Sequence, residues 1–337
     1  MKTIYLSENE TEKSAEILKN GGIVAIPTET VYGLAASTFD ENAIKKIFLA
    51  KGRPNDNPLI VHICNIKNIY EVVSEFPEKA KKLADKFWPG PLTMILPKNK
   101  SIPNSVTAGM DSVAVRFPKN KIALEIIEKS KVPLVAPSAN LSGKPSPTKF
   151  EHVKNDMEGK IDAIVNGGDC EFGLESTVIS LIGEKPIILR PGAITPADIK
   201  SVLGEEIEID KNVFSKPQIN QKVLSPGMKY THYSPKAKVF LVKGTTEKYC
   251  DFLKDKNENG IFALCYNEDI PFLKIPYISY GKKENPTEQA NKLFGALREC
   301  DFKKAEIVYA HFEMINEISI AVYNRLIRAA GFNVIEI

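Results

Sequence analysis

Up to about residue 200 the apolar residues come in runs of three to five, each closed by glycine, proline or a polar cluster. The runs at 23–27, 59–63, 92–96, 113–117, 134–136, 163–165, 178–181 and 187–189 all have this form. Segments that short, between turn residues, read as buried strands rather than core helices. Amphipathic helical patterns are fewer. They fall at 8–20, stopped by Gly21 and Gly22, at 42–51, stopped by Gly52 and Pro54, and at 67–75 and 77–88. Many strands with fewer helices predict one large twisted mixed sheet with helices against it.

After residue 236 the grammar changes to regular alternation. Strand patterns at 239–242, 261–265, 307–309 and 334–337 are separated by helical patterns at 246–256, 286–299 and 317–330. The last helix sets Ile318, Val322 and Leu326 on one face and stops at Gly331. This alternation predicts a smaller open parallel sheet of Rossmann-like type. No GxGxxG opens any of its helices, so it lacks the phosphate turn of a dinucleotide site. Between the two regions, residues 209–236 contain few apolar residues, no clear period, and Pro217, Pro226 and Pro235. A stretch that long is a linker or a functional loop. With 337 residues the chain has length for roughly two domains of about 150 each.

Composition excludes several function classes. The chain is 43% hydrophobic and 26% charged, ordinary globular usage. Its 45 basic and 42 acidic residues leave a formal charge of +3, too little to hold long nucleic acid by electrostatics alone. No run approaches the roughly 20 apolar residues that span a bilayer, and Met1 to Lys13 has no signal-peptide pattern. Cys64, Cys170, Cys250, Cys265 and Cys300 are scattered, which fits reduced thiols in a cytoplasm. His62, His152, His232 and His311 have no metal-ligand spacing, so no protein-held metal is expected.

Four polar clusters interrupt the first region. PTETVYGL (27–34) follows a strand and sets Thr28, Glu29, Thr30 and Tyr32 at a strand end, where open α/β sheets bind ligands. In KGRPNDNP (51–58) the lysine, glycine and proline are helix-stop grammar, which leaves Arg53 and Asn57 over; a guanidinium there suits a phosphate or carboxylate. APSANLSG (136–143) offers Ser138, Asn140 and Ser142 as an anion cradle or a solvated turn. GLESTVISL (173–181) precedes ILRPG (188–192), where Arg190 ends an apolar strand as Arg116 does in VAVRFP. His62, closing PLIVH, reads first as a core histidine. No Walker A sequence, GxSxG elbow or HExxH helix is present. The residues alone describe a two-domain α/β protein with an anion-binding crevice lined by arginine, serine and threonine.

Taken in order, PTETVYGL, KGRP, NPLIVH, SVAVRFP, APSANLSG, ESTVIS and LRPG resemble the YrdC-like domain of threonylcarbamoyl-AMP synthases, over about residues 10–200. SPGMKYTHYSPKAKV and AVYNRLIRAAG are similar to the long, two-domain form. The resemblance implies a YrdC-like catalytic domain at 1–208, a linker or lid at 209–236 and a Rossmann-like domain at 237–337. It implies an enzyme that joins L-threonine, bicarbonate or CO2, and ATP into threonylcarbamoyl-adenylate and pyrophosphate. Mg2+ would accompany the ATP. Other proteins would then transfer the group to tRNA, with only weak or indirect tRNA contact and no membrane.

Carried over position by position, Lys51, Arg53, Ser138 and Asn140 match the family's Lys-x-Arg and Ser-x-Asn pattern and would be catalytic. Thr30, His62, Arg116, Ala136 and Ser176 would hold threonine, with Arg116 clamping its carboxylate. Arg53, Asn57, Ser112, Ser138, Ser146, Arg190 and Tyr233 would meet ATP. Tyr230, His232 and Tyr233 enrich the linker in groups suited to a lid. Two rivals stand beside this reading. One is an RNA-binding or ribosome-assembly factor using the same basic concavity, which the near-neutral charge disfavours. The other is a carbamoyl-phosphate-using maturation enzyme, whose additional zinc-finger-like and acylphosphatase-like segments are not seen.

Overall fold

A computed structural model describes residues 2–216 and 233–337. The first region forms an eleven-stranded mixed sheet. Its strands are β1 (Ile4–Ser7), β2 (Val24–Ile26), β3 (Gly33–Ser37), β4 (Ile60–His62), β5 (Leu92–Pro97), β6 (Ser112–Arg116), β7 (Leu134–Val135), β8 (Ala163–Asn166), β9 (Thr177–Ser180), β10 (Ile187–Arg190) and β11 (Glu208–Ile209). They lie in the order β1-β8-β2-β3-β7-β4-β6-β5-β9-β10-β11. Parallel pairs (β4 with β6, β5 with β9) alternate with antiparallel ones (β5 with β6, β9 with β10). The large mixed sheet expected from the short apolar runs is the one observed.

Alternating residues of each strand feed opposite faces. On one face Ala25, Leu34, Val61, Met94 and Val115 pack with Ile44 and Ile47 of the helix Glu41–Lys51 and Leu83 of the helix Glu78–Phe87. On the other face Val24, Ile26, Ala35 and Leu134 pack with the helices Thr11–Lys19 and Lys121–Ser130. Beyond them Ile60, Ile95, Ala114, Val178 and Leu189 form a smaller apolar cluster along β4, β6, β5, β9 and β10. A crevice opens at this end of the sheet.

The second region is a five-stranded sheet of β12 (Lys238–Lys243), β13 (Ile261–Cys265), β14 (Tyr277–Ser279), β15 (Ile307–Phe312) and β16 (Val334–Glu336), in the order β14-β13-β15-β12-β16. Every pairing in it is parallel, as the alternation predicts. The helices Pro286–Phe302 and Glu317–Ala329 cover the face that joins a core with Val31, Leu174 and Tyr233. The two regions meet closely there. A Cβ on Gly173, whose φ is +74°, would lie 2.4 Å from the Asn291 carbonyl oxygen, so only glycine fits.

Several elements depart from the sequence expectation. The pattern at 67–75 resolves into a 3-10 turn Ile66–Asn68 and a short helix Ile69–Val72, ended where Val73 turns extended. The strands β1, β3, β11 and β14 and the helices Lys121–Ser130, Phe150–Met157 and Pro196–Leu203 are additional. β3 (GLAAS) carries small residues because β2 and β7 crowd it on both edges. Of the stretch 209–236, the described part includes a 3-10 turn Lys211–Val213 with Val213 buried. Tyr230 and His232 lie outside the described residues.

Candidate active site

The crevice spans about 530 Å³, part of it open to solvent, and is built from strand ends and the loops that follow them. β4 and β6 run parallel, with His62 in register with Arg116, so both side chains arrive at one edge. The loop after β2 is tied by Thr28: its hydroxyl donates to the Val31 carbonyl (2.6 Å) and accepts from the backbone of Thr30 (3.2 Å) and Val31 (3.3 Å). Such a hydroxyl turn brings Thr30 over the crevice. The loop after β7 is held by the Ala136 amide on the Ile60 carbonyl (3.1 Å) and the Ala139 amide on the Tyr32 carbonyl (2.8 Å).

The cavity is lined by Thr30, His62, Arg116, Ala136 and Ser176, all five residues expected for threonine. Arg116 is buried and its guanidinium is already oriented. One terminal nitrogen donates to Glu29 (2.6 Å), the other to the Thr30 hydroxyl (2.8 Å), and Nε to the Gly90 carbonyl (3.3 Å). Those bonds leave one N–H on each terminal nitrogen. Burial alone would raise the Glu29 carboxyl, but the Arg116 charge and bond hold it below its ordinary value. Burial, with Arg116 nearby, pushes His62 down to about 3, so the ring is neutral. Its Nδ1 faces the Ile60 carbonyl at 3.2 Å, which assigns the proton to Nδ1 and leaves Nε2 as an acceptor. Ser176 and Thr93 share a hydroxyl bond of 2.7 Å across β5 and β9.

The same cavity is lined by Arg53, Ser138, Arg190, Tyr233 and Glu175, with Arg190 joined to the first set through Ser176. Arg53 donates to the carbonyls of Pro58 (3.1 Å) and Asn57 (3.4 Å), while its buried Nε has no partner among the described residues. Arg190 donates through Nε to the Ser176 carbonyl (3.0 Å) and through a terminal nitrogen to the Ser176 hydroxyl (3.1 Å). Burial lowers both arginines to about 10, so both stay charged at neutral pH. Tyr233 is buried, packs its ring 5.1 Å from Phe294 and lies 5.9 Å from the Arg325 guanidinium.

The remaining expected residues stand behind this lining. Lys51 is fully enclosed and its ammonium bonds the Ser138 carbonyl and, at 2.7 Å, the Asn140 carbonyl. It braces the loop that presents Ser138, and burial pushes its pKa well below the ordinary lysine value. Asn140 fastens the same loop through the carbonyls of Leu141 and Lys144, both 2.8 Å. Asn57 is buried and Ser146 bonds Glu175. Ser112 opens β6, a strand away from Arg116, and does not line the cavity.

Two carboxylates, Glu29 and Glu175, were not among the expected site residues, although both stand in the polar clusters. Their signal was an acid inside a text that is otherwise apolar or hydroxylated. Arg325 also reaches Glu175, with Nε 3.0 Å from Oε2. Among the described residues no group of three or more His, Cys, Asp or Glu is placed to hold a metal ion, and no helix is long and apolar enough to cross a membrane.

Comparison with known proteins agrees with this geometry. The Sua5/YciO/YrdC family model, described as telomere recombination, matches residues 16–192. A second model, the C-terminal domain of threonylcarbamoyl-AMP synthase, matches residues 194–331. The chain is 43% identical to the threonylcarbamoyl-AMP synthase of Bacillus subtilis, over 99% of this chain and 97% of the other. It is 43% identical to the enzyme of the same name from Pyrococcus abyssi, over 96% and 95%. A crystal structure of P. abyssi Sua5 complexed with L-threonine superposes with a TM-score of 0.89 at 40% identity, over the whole of both chains. The RNA-binding alternative is not favoured by these likenesses. The chain belongs to the threonylcarbamoyl-AMP synthase family in its two-domain Sua5 form, and is an enzyme of the nucleotidyl-transferring class.

Proposed function

We propose that the crevice holds L-threonine and ATP end to end and joins them through bicarbonate into threonylcarbamoyl-adenylate. The observation that carries the reading is three buried arginines lining one cavity: Arg116, oriented by Glu29 and Thr30, together with Arg53 and Arg190. A substrate carboxylate takes the N–H left on each terminal nitrogen of Arg116, a two-pronged bond that fixes its plane. Neutral His62 accepts from threonine through Nε2, with Thr30, Ser176 and the Ala136 backbone beside it. The threonine amine takes up bicarbonate as a carbamate, with loss of water. One carbamate oxygen then attacks the α-phosphorus and pyrophosphate leaves. No covalent enzyme intermediate is needed, so the protein supplies positioning and positive charge where the phosphoryl oxygens gain negative charge.

On this reading Arg53, Ser138 and Arg190 contact the phosphates, and Lys51 and Asn140 keep the Ser138 loop in place. Asn57, Ser112 and Ser146 belong to the nucleotide side. Mg2+ would enter as the counter-ion of ATP; among the described residues no group of three or more His, Cys, Asp or Glu is placed to hold it. Residues 1–208 would form the catalytic domain and 237–337 the second domain; of the expected lid, 209–236, residues 217–232 lie outside the described residues. Tyr233 closes the cavity and slows escape of the labile product. The product would pass to a tRNA-modifying enzyme, with only weak or indirect contact between tRNA and this chain, and the five unpaired thiols suit cytoplasmic work.

Steady-state kinetics with each substrate varied separately test the two-ended arrangement. Arg116→Ala raises the threonine KM tenfold or more with little change in ATP KM, while Tyr233→Ala raises ATP KM. If Arg116→Ala moves ATP KM and leaves threonine KM alone, the orientation is wrong.

A further inference from the structure

A buried carboxylate beside a phosphate site is an electrostatic liability, and Glu175 is one. It lines the cavity next to Ser176, to which Arg190 is bonded. Its Oε1 accepts from the Ser146 hydroxyl and its Oε2 from Arg325. Arg325 is the most deeply buried arginine contact of the helix Glu317–Ala329, at 0% exposure. It also donates to the Pro191 carbonyl at 2.5 Å, the residue after Arg190. Burial alone would raise the Glu175 carboxyl, but Arg325 and then Arg190 hold it below its ordinary value. One carboxylate thus sits in the field of two guanidiniums, one from each sheet's domain.

The charge arithmetic is simple. With Arg325 on Glu175, the carboxylate does not have to be offset by Arg190 alone. Remove Arg325 and the remaining pair cancels instead, drawing Arg190 onto Glu175 in a poorly solvated site. We propose that Arg325 is a positioning residue by which the second domain neutralises Glu175 and so keeps Arg190 available to the nucleotide phosphates. The inference rests on the reading that Arg190 meets the nucleotide.

Docking of the helix does not depend on Arg325 alone. Asn324 donates to the Val213 carbonyl and Arg328 to the Asn212 carbonyl, both at 2.9 Å. A separate tie, the Ala197 amide to the Glu317 carboxylate at 3.0 Å, joins residues that do not line the crevice.

The full chain with ATP and threonine varied separately gives the test, read as pyrophosphate release and melting temperature. Arg325→Met is expected to raise ATP KM at least tenfold and threonine KM less than twofold. Adding Glu175→Gln to it removes the carboxylate and is expected to bring ATP KM back to within threefold of wild type. Glu317→Ala is expected to lower the melting temperature without raising ATP KM. A double variant as impaired as Arg325→Met overturns the proposal and leaves Arg325 a docking residue. Should Arg325→Met not fold, Glu175→Gln alone decides: a lower ATP KM supports the proposal and a tenfold rise overturns it. Arg190→Ala distinguishes the layers, because an unchanged ATP KM there removes the underlying reading rather than this inference.

Discussion

Arg53 shows how a single side chain was legible before any fold was known. It stood in KGRPNDNP with no helix-ending duty, and it lines the cavity with an unpartnered buried Nε. Arg53→Ala is expected to lower kcat/KM by roughly 10²–10³-fold, about 2–4 kcal/mol, the scale of one preorganised donor; a variant within threefold of wild type would remove it from the chemistry. Lys51 in the same cluster was also expected at the chemistry, and its ammonium instead lies on two carbonyls behind the lining. Sequence cannot separate a ligand contact from a brace one turn away. His62 makes the pH statement. Its folded pKa, about 3, lies below its ordinary 6.5, so between those values the unfolded chain binds a proton that the folded chain refuses. Its contribution to stability is therefore full above about pH 6.5 and is lost as pH falls toward about 3. Urea melts should show wild type losing about 2–3 kcal/mol more than His62→Gln between about pH 7 and about pH 4.5; equal losses would mean that the ring protonates freely.

At the scale of elements, the helix Glu41–Lys51 carries the most site per residue, because it delivers Lys51 and then Arg53. Asp40 caps it, accepting from the Asn42 and Ala43 amides at 2.9 and 3.0 Å, and Gly52 ends it in the left-handed region. Asp40→Ala is expected to cost about 1 kcal/mol of stability, and a melting curve superimposable on wild type would contradict that. The Gly52 stop was readable, as were the Gly21–Gly22 stop and the apolar strands, whereas the Asp40 cap was not read. The helix Lys121–Ser130 was missed, although Ile122, Ile126 and Ala123, Ile127 repeat every four residues behind Asn120. β1 and β3 were not, because edge position and crowding between neighbours decide them rather than local pattern. The register that sets His62 beside Arg116 lies between segments fifty residues apart and has no local trace.

At the scale of the molecule, the two sheets were visible as two grammars on either side of a plain stretch, and the site was not. Its lining comes from widely separated stretches between Thr30 and Tyr233, and Arg325 bonds Glu175 of that lining from near the far end of the chain. Composition already argued against a polyelectrolyte partner, and the cavity agrees, since each buried acid in it faces an arginine. The central claim is that this cavity activates threonine with ATP through a carbamate. Pyrophosphate release from ATP by the purified chain with Mg2+, omitting threonine or bicarbonate in turn, tests it most directly. Release that needs both substrates is the predicted result. ATP binding with no pyrophosphate under any combination would contradict the account.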